Sequence, residues 1–467
     1  MSTTQFDAAV IGSGQAGPFL AARLAAAGRR VVLVEREHLG GTCVNDGCMP
    51  TKTMIASARA AHIARRAADF GVRIGGPVSV DMAAVKARKD RIVGQAVGNL
   101  ERWLAGIAGL SVVRGEARFV GPRTLAVGAE TITAAQVFVN VGGRPALPAW
   151  PGLDRVPVLT NTSILELERV PEHLIVAGAS YIGLEFAQMF RRFGARVTVL
   201  DTAARIVARE DADVSRTLQA ILEREGIGFV LGIGDVAVAP AAAGVRLSLR
   251  ADGRAETIDG SDLLVAVGRR PNTDGLGLDR ACIATDARGF IVVDERLATS
   301  APGVWALGDV NGRGAFTHTA YNDHEIVAAN LLDGADRRVG DRIPAYALFT
   351  DPPLGRVGLT EAAVRASGRP ALVGVLPMQR VGRAKERGET DGFMKVLVDA
   401  PTRRIVGAAL LCIEADEIVH SLLGAMAAGV TVDLVRRTVP IHPTVSELIP
   451  TLLDNLVPLG AATETPP

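Results

Sequence analysis

The sequence predicts an α/β protein: two Rossmann-like dinucleotide-binding units followed by a C-terminal α+β unit. Three observations carry this. At residues 7–35 an apolar strand runs into a glycine-rich turn, an Ala/Leu helix and a second strand. The same pattern returns at residues 173–201. From about residue 346 the pattern changes to strands (FMKVLVDAPTRRIVGAALLC) and then to helices as far as Pro458.

In the first unit the turn reads Gly12-x-Gly14-x-x-Gly17 and the second strand ends in Glu35. Gly12 permits a tight turn, Gly14 lets the backbone approach a pyrophosphate, and Gly17 lets helix and strand pack closely. The unpaired N–H groups of the helix N-terminus suit phosphate, and Glu35 suits a ribose hydroxyl. The second unit has Gly178, Ser180, Gly183 and Asp201 at the matching places, each 166 residues after its counterpart. Identical spacing through turn, helix and strand predicts two dinucleotide sites. Ser180 is the one departure, a small side chain where the first unit has Gly14.

Between the two units, residues 111–147 alternate apolar and polar, which predicts short strands. GRPALPAWPG (143–152) has the Pro and Gly density of a linker. VWALGDVNG places a strand before Gly308 and Asp309, with a helix after Phe316. The expected divisions are 1–150 for the first unit, 151–277 for the second, 278–345 for a return to the first, and 346–467 for the C-terminal unit. The tail GAATETPP is expected to be disordered.

Lys and Arg number 51 against 50 Asp and Glu, so charge gives no case for nucleic acid or an anionic membrane as partner. The N-terminus lacks the basic and apolar regions of a signal peptide, and no apolar run reaches membrane-spanning length. A cytoplasmic protein is expected.

Only four cysteines occur in 467 residues, yet Cys43 and Cys48 lie in one short stretch, GGTCVNDGCMPTK. No second pair completes a metal site. Spacing alone leaves two readings, a redox pair or two core cysteines.

Six motifs in order resemble the class I pyridine nucleotide-disulfide oxidoreductases, the family of glutathione reductase, lipoamide dehydrogenase and mercuric reductase. They are the glycine turn at 12–17, G-G-T-C-x4-C-x-P-T-K at 40–52, and GASYIGLE at 178–185. VGRRPNT at 267–273, TSAPGVWALGD at 299–309 and His442-Pro-Thr-x-x-Glu447 complete the set. The resemblance implies FAD in the first unit, NADH or NADPH in the second, and a homodimer formed through the C-terminal α+β dimerisation domain. It implies a redox disulfide between Cys43 and Cys48, with Cys48 the thiolate against the flavin and Cys43 the thiol that meets substrate. Lys52, paired with Glu185, would lie by the flavin. Asp309 would hold the ribityl chain, and Tyr181 would cover the nicotinamide pocket. Gly41, Thr42, Ala117, Gly142 and Thr317 join the FAD contacts, and Ile182, Gly183 and Gly268 the nicotinamide-nucleotide contacts. His442, oriented by Glu447, would serve as acid and base toward the partner subunit's thiols.

Asp201 accepts a ribose 2′-hydroxyl but repels a 2′-phosphate, so NADH is expected over NADPH, with Arg205 able to soften the preference. FVNVGGRP places Asn140 and Val141 where relatives read Ala and Thr, so the FAD contacts of those side chains are open. FTDPPLGRVGLTE and LLCIEADEIVH resemble the mercuric-reductase-like and copper(II)-reducing branch. The electron acceptor expected is therefore a metal ion or small oxidant. The alternatives are a disulfide, as in dihydrolipoamide dehydrogenase, or a redox-sensing flavoprotein module.

Overall fold

The computed structural model describes residues 3–460, and the tail expected to be disordered lies outside them from residue 461 onward. Strand β1 (Thr3–Ile11), helix α1 (Gly17–Ala26) and strand β2 (Val31–Glu35) form the first βαβ half-turn. All five residues of β2 are buried, as an apolar strand covered on both faces should be. Helices α2 (Gly41–Asn45), α3 (Cys48–Arg65) and α4 (Met82–Ala105) precede β3 (Leu110–Arg114). Next come β4 (Ala117–Gly121), β5 (Thr124–Val127), β6 (Glu130–Val139) and β7 (Gly143–Pro145). The sheet order is β3-β2-β1-β6-β5-β4.

The second unit repeats the plan with β8 (His173–Ala177), α5 (Tyr181–Phe193), β9 (Arg196–Asp201), α6 (Ala212–Arg224) and β10 (Ile227–Leu231). An antiparallel meander follows, β11 (Gly234–Ala241), β12 (Gly244–Ala251) and β13 (Arg254–Gly260), before β14 (Asp262–Val265) returns beside β8. The repeat extends to single bonds. Gly12 N–H donates to Val34 O and Gly178 N–H to Leu200 O, both at 2.8 Å.

The Pro- and Gly-rich segment at 143–152 is less free than a linker. β7 pairs antiparallel with β15 (Arg269–Pro271), so a two-stranded ribbon joins the two units. The chain then re-enters the first sheet through β16 (Val304–Ala306), parallel to β6, and continues into α7 (Thr317–Leu332).

The last unit is a six-stranded sheet of β17 (Ala345–Leu348), β18 (Leu354–Gly358), β19 (Ala371–Pro377), β20 (Phe393–Asp399), β21 (Ile405–Leu411) and β22 (Val457–Pro458). Its order is β17-β18-β21-β20-β19-β22, all antiparallel, with the helix Ala415–Ala427 packed on β18 and β21. The chain end at Val457–Pro458 is thus an edge strand beside β19, where helix had been expected. Among the described residues no helix is long and apolar enough to cross a membrane.

Candidate active site

Cys43 lies on the short helix α2 and Cys48 is the first residue of α3. Gly47 makes the approach possible: a Cβ there would stand 2.7 Å from Thr42 O and 3.1 Å from the Cα of Cys43. Asn45 braces α2 by donating to Leu39 O and Gly41 O. Both cysteines are free thiols in the structure. The Cys43 thiol, by donating, pulls the Cys48 pKa down to about 6, with further help from Thr317 and from the charge of Lys52. The same coupling, together with burial, pushes Cys43 upward. The Cys48 Sγ is 3.1 Å from Thr317 Oγ1, and its place in the first turn of an 18-residue helix also favours the anion. Both shifts favour the anion on Cys48 and the proton on Cys43.

Lys52 sits one turn further along α3, with its Nζ 2.6 Å from Glu185 Oε2. Glu185 is buried, and its other oxygen accepts the Phe349 N–H at 2.9 Å. Lys52 also stands 4.5 Å from the centroid of the Phe349 ring. The first unit, the second unit and the C-terminal sheet therefore converge on one ion pair. Tyr181, at the start of α5, packs on Tyr346 and Phe316 and donates its hydroxyl to Glu210 Oε1 at 2.9 Å. Tyr346 donates to the same oxygen at 2.6 Å, and Arg356 Nε to Oε2 at 3.0 Å. Burial next to this carboxylate pushes both tyrosine hydroxyls up, so they remain donors.

The two glycine turns are built alike. Glu35 accepts Ser13 N–H and Glu37 N–H, each at 2.9 Å. Asp201 accepts Ala179 N–H at 2.6 Å and Ala203 N–H at 2.8 Å. A Cβ on Gly12 or Gly17 would overlap backbone, and one on Gly41 would lie 2.8 Å from the Cα of Gly14. Gly41 and Thr42 thus bring the cysteine helix directly against the first turn. Gly183 is equally shut in by Gly178 O. Ser180 adopts an ordinary φ of −106°, so a side chain costs no backbone strain there. Ile182 follows in the same first turn, partly exposed. Gly142 and Gly268, both at positive φ, flank the β7–β15 ribbon. Ala117 opens β4, buried, two residues beyond Gly115, whose N–H donates to Glu35 O. Asp309 lies 3.6 Å from Arg269 Nε, and burial raises its carboxyl pKa.

His442 stands elsewhere. It belongs to the C-terminal unit, 81% exposed, with Nδ1 2.8 Å from Glu447 Oε2. Among the described residues no hydrogen bond joins it to either cysteine of the same chain. Cys412 is buried in the C-terminal core and Cys282 is exposed, both remote from the pair in sequence.

The chain matches the family model for pyridine nucleotide-disulphide oxidoreductases over residues 6–323, and that family's dimerisation-domain model over residues 344–453. The chain belongs to this family. It is 36% identical over 452 residues to the probable pyridine nucleotide-disulfide oxidoreductase RclA of Escherichia coli K12, covering 95% of this chain and 97% of that protein. It is 38% identical to a mercuric reductase of Streptomyces lividans, covering 96% and 95%, and 34% identical to a dihydrolipoyl dehydrogenase of Cupriavidus necator, covering 95% and 96%. The solved Cu(II) complex of the HOCl-induced flavoprotein disulfide reductase RclA from Escherichia coli superimposes with a TM-score of 0.88 at 34% identity, covering 97% of this chain and 99% of that one.

Membership supports FAD as the flavin of this oxidoreductase, and the residues present fit it. The first turn has side-chain-free backbone at Gly12, Gly14, Gly17 and Gly41, and an acid at Glu35. Two residues around the family site escaped the motifs, and a third, Asn140, stands out in the sequence only as a departure from the relatives. Asp323 accepts Gly308 N–H at 2.7 Å and the Asn311 amide at 2.9 Å, and pairs with Arg342, which shapes the turn carrying Asp309. Glu210 gathers two tyrosines and an arginine. Asn140 turns inward onto the first glycine loop. None has a local spacing signal, since every partner but Gly308 and Asn311 is at least 19 residues away.

Proposed function

We propose that this protein is a homodimeric NADH-dependent FAD enzyme that reduces a metal ion or small oxidant through Cys43 and Cys48. The observation that carries the reading is the thiol pair at the head of α3, with Thr317 Oγ1 3.1 Å from the Cys48 sulfur and Lys52 one turn along, a setting that lowers the Cys48 pKa and raises that of Cys43. When bound, FAD and a nicotinamide nucleotide supply the hydride and electron transfer. The chain's residues do the rest. Lys52, fixed by Glu185, presents a positive charge beside Cys48. Cys43 offers its sulfur to the acceptor, and the pair closes to a disulfide, passing two electrons to the acceptor and releasing the one proton that Cys43 holds.

A soft metal ion suits two thiols. The mercuric reductase and the Cu(II) complex among the similar proteins are in keeping with a metal acceptor. NADH is favoured because Asp201 stands at the ribose position while Arg205 is turned onto Ala208 O and Glu210 O. The homodimer reading is supported by the dimerisation-domain match and by exposed apolar residues flanking His442, Val439 at 94% and Ile441 at 79%.

The His442–Glu447 pair favours a second reading, reduction of a disulfide whose leaving thiolate needs a proton. His442→Ala separates the two. General acid help is typically worth about 100-fold or more. A disulfide reductase should lose at least that much turnover on its disulfide, whereas metal or oxidant reduction should fall far less. A collapse of metal reduction alongside intact flavin content and dimer would count against the first reading.

A further inference from the structure

The two glycine turns share backbone geometry yet differ in one side chain. Asn140, the residue after β6, is buried and donates its N–H to Ile11 O at 2.8 Å. Its counterpart after β14 is Ala266, which donates to Ala177 O at 2.7 Å. The carbonyl of Asn140 closes over Gly12, and that of Ala266 closes over Gly178 in the same way. The Asn140 side chain then does something alanine cannot. Its Nδ2 donates to Gly12 O and to Gly14 O, each at 3.2 Å.

The same amide sits at the centre of the cradle. A Cβ on Gly14 would be 3.4 Å from Nδ2 and one on Gly17 2.9 Å, while a Cβ on Gly308, beside Asp309, would be 3.2 Å from Oδ1. In a trans peptide the C=O and N–H point opposite ways. Tying the Gly14 carbonyl inward therefore turns the Gln15 N–H outward, toward the side on which a pyrophosphate meets the helix N-terminus.

We propose that Asn140 is a positioning residue that bolts the first glycine loop of this chain into its phosphate-binding form. The second loop, with Ala266 in the matching place, lacks the bolt. This rests on the assignment of FAD to the first unit and the nicotinamide nucleotide to the second. A loop already in its bound form spends less binding energy on ordering, so removing the bolt should loosen the ligand without altering its contacts.

The test uses holoenzyme of wild type, Asn140→Ala and Asn140→Ser, the serine being able to reach at most one of the two carbonyls. FAD release is followed by recovery of flavin fluorescence on dilution, NAD⁺ binding by calorimetry, and unfolding of the apoprotein by calorimetric scan. Loss of two hydrogen bonds should weaken FAD binding by about tenfold or more in Asn140→Ala, with a smaller loss in Asn140→Ser and unchanged NAD⁺ affinity. If Asn140→Ala does not fold, the serine variant alone must show weakened FAD binding. Unchanged FAD release, even with a lowered apoprotein melting temperature, would overturn the bolt and leave the cofactor assignment standing. Wild-type protein carrying no flavin would overturn the assignment itself.

Discussion

Thr317→Val removes the hydroxyl 3.1 Å from the Cys48 sulfur while keeping nearly the same shape. Hydrogen bonds to charged groups contribute about 1.5–3 kcal/mol, and 1.36 kcal/mol corresponds to one pH unit of pKa. The low end of that range corresponds to about one pH unit. The Cys48 pKa, about 6 in the wild type, should therefore rise by about one pH unit. The sign follows from the depressed pKa: thiolate is present above about pH 6 and is lost as pH falls through it. The assay is a pH titration of the long-wavelength charge-transfer absorbance in two-electron-reduced holoenzyme. In the variant the band, measured per bound flavin, should fade at a pH about one unit higher. A midpoint that stays put or moves down would refute Thr317 as a stabiliser of the thiolate.

Two further outcomes follow from other parts of the site. Asp201→Ala should narrow the preference for NADH over NADPH, read as the ratio of the two kcat/KM values; a wild type that prefers NADPH would remove the basis for it. Arg356→Ala leaves Glu210 without its cation in the interior, which should cost about 3–5 kcal/mol in chemical denaturation; a loss below about 1 kcal/mol would show that Tyr181 and Tyr346 suffice to satisfy Glu210.

Much of this architecture was legible in the residues because its signals are local. The turn glycines, the ribose-position acids and the strand that follows each helix lie within 29 residues of one another in both units. Their hydrogen bonds repeat in the structure, down to Ser13 with Glu35 and Ala179 with Asp201. The contacts that complete the site are long-range. Asn140 acts on carbonyls 128 and 126 residues away, and Glu210 is met by Tyr346 and Arg356 from 136 and 146 residues away. Pattern reading has no access to such partners. The same reason explains the segment at 143–152. Its Pro and Gly content reads as a linker, but three of its residues pair with Arg269–Pro271, far along the chain. Val457–Pro458 likewise becomes a strand only because β19 offers it an edge.

On the proposed function, electrons leave this oxidoreductase through Cys43 and Cys48 to a metal ion or small oxidant. The most direct measurement is anaerobic stopped-flow mixing of NADH-reduced holoenzyme with Cu(II), Hg(II), lipoamide disulfide and glutathione disulfide in turn. Wild type, Cys43→Ser and Cys48→Ser are compared. Wild type should be reoxidised fastest by a metal ion, Cys43→Ser should keep the charge-transfer band yet lose that reoxidation, and Cys48→Ser should lose the band. Fastest reoxidation by a disulfide, or metal reoxidation that survives the loss of Cys43, would contradict the account.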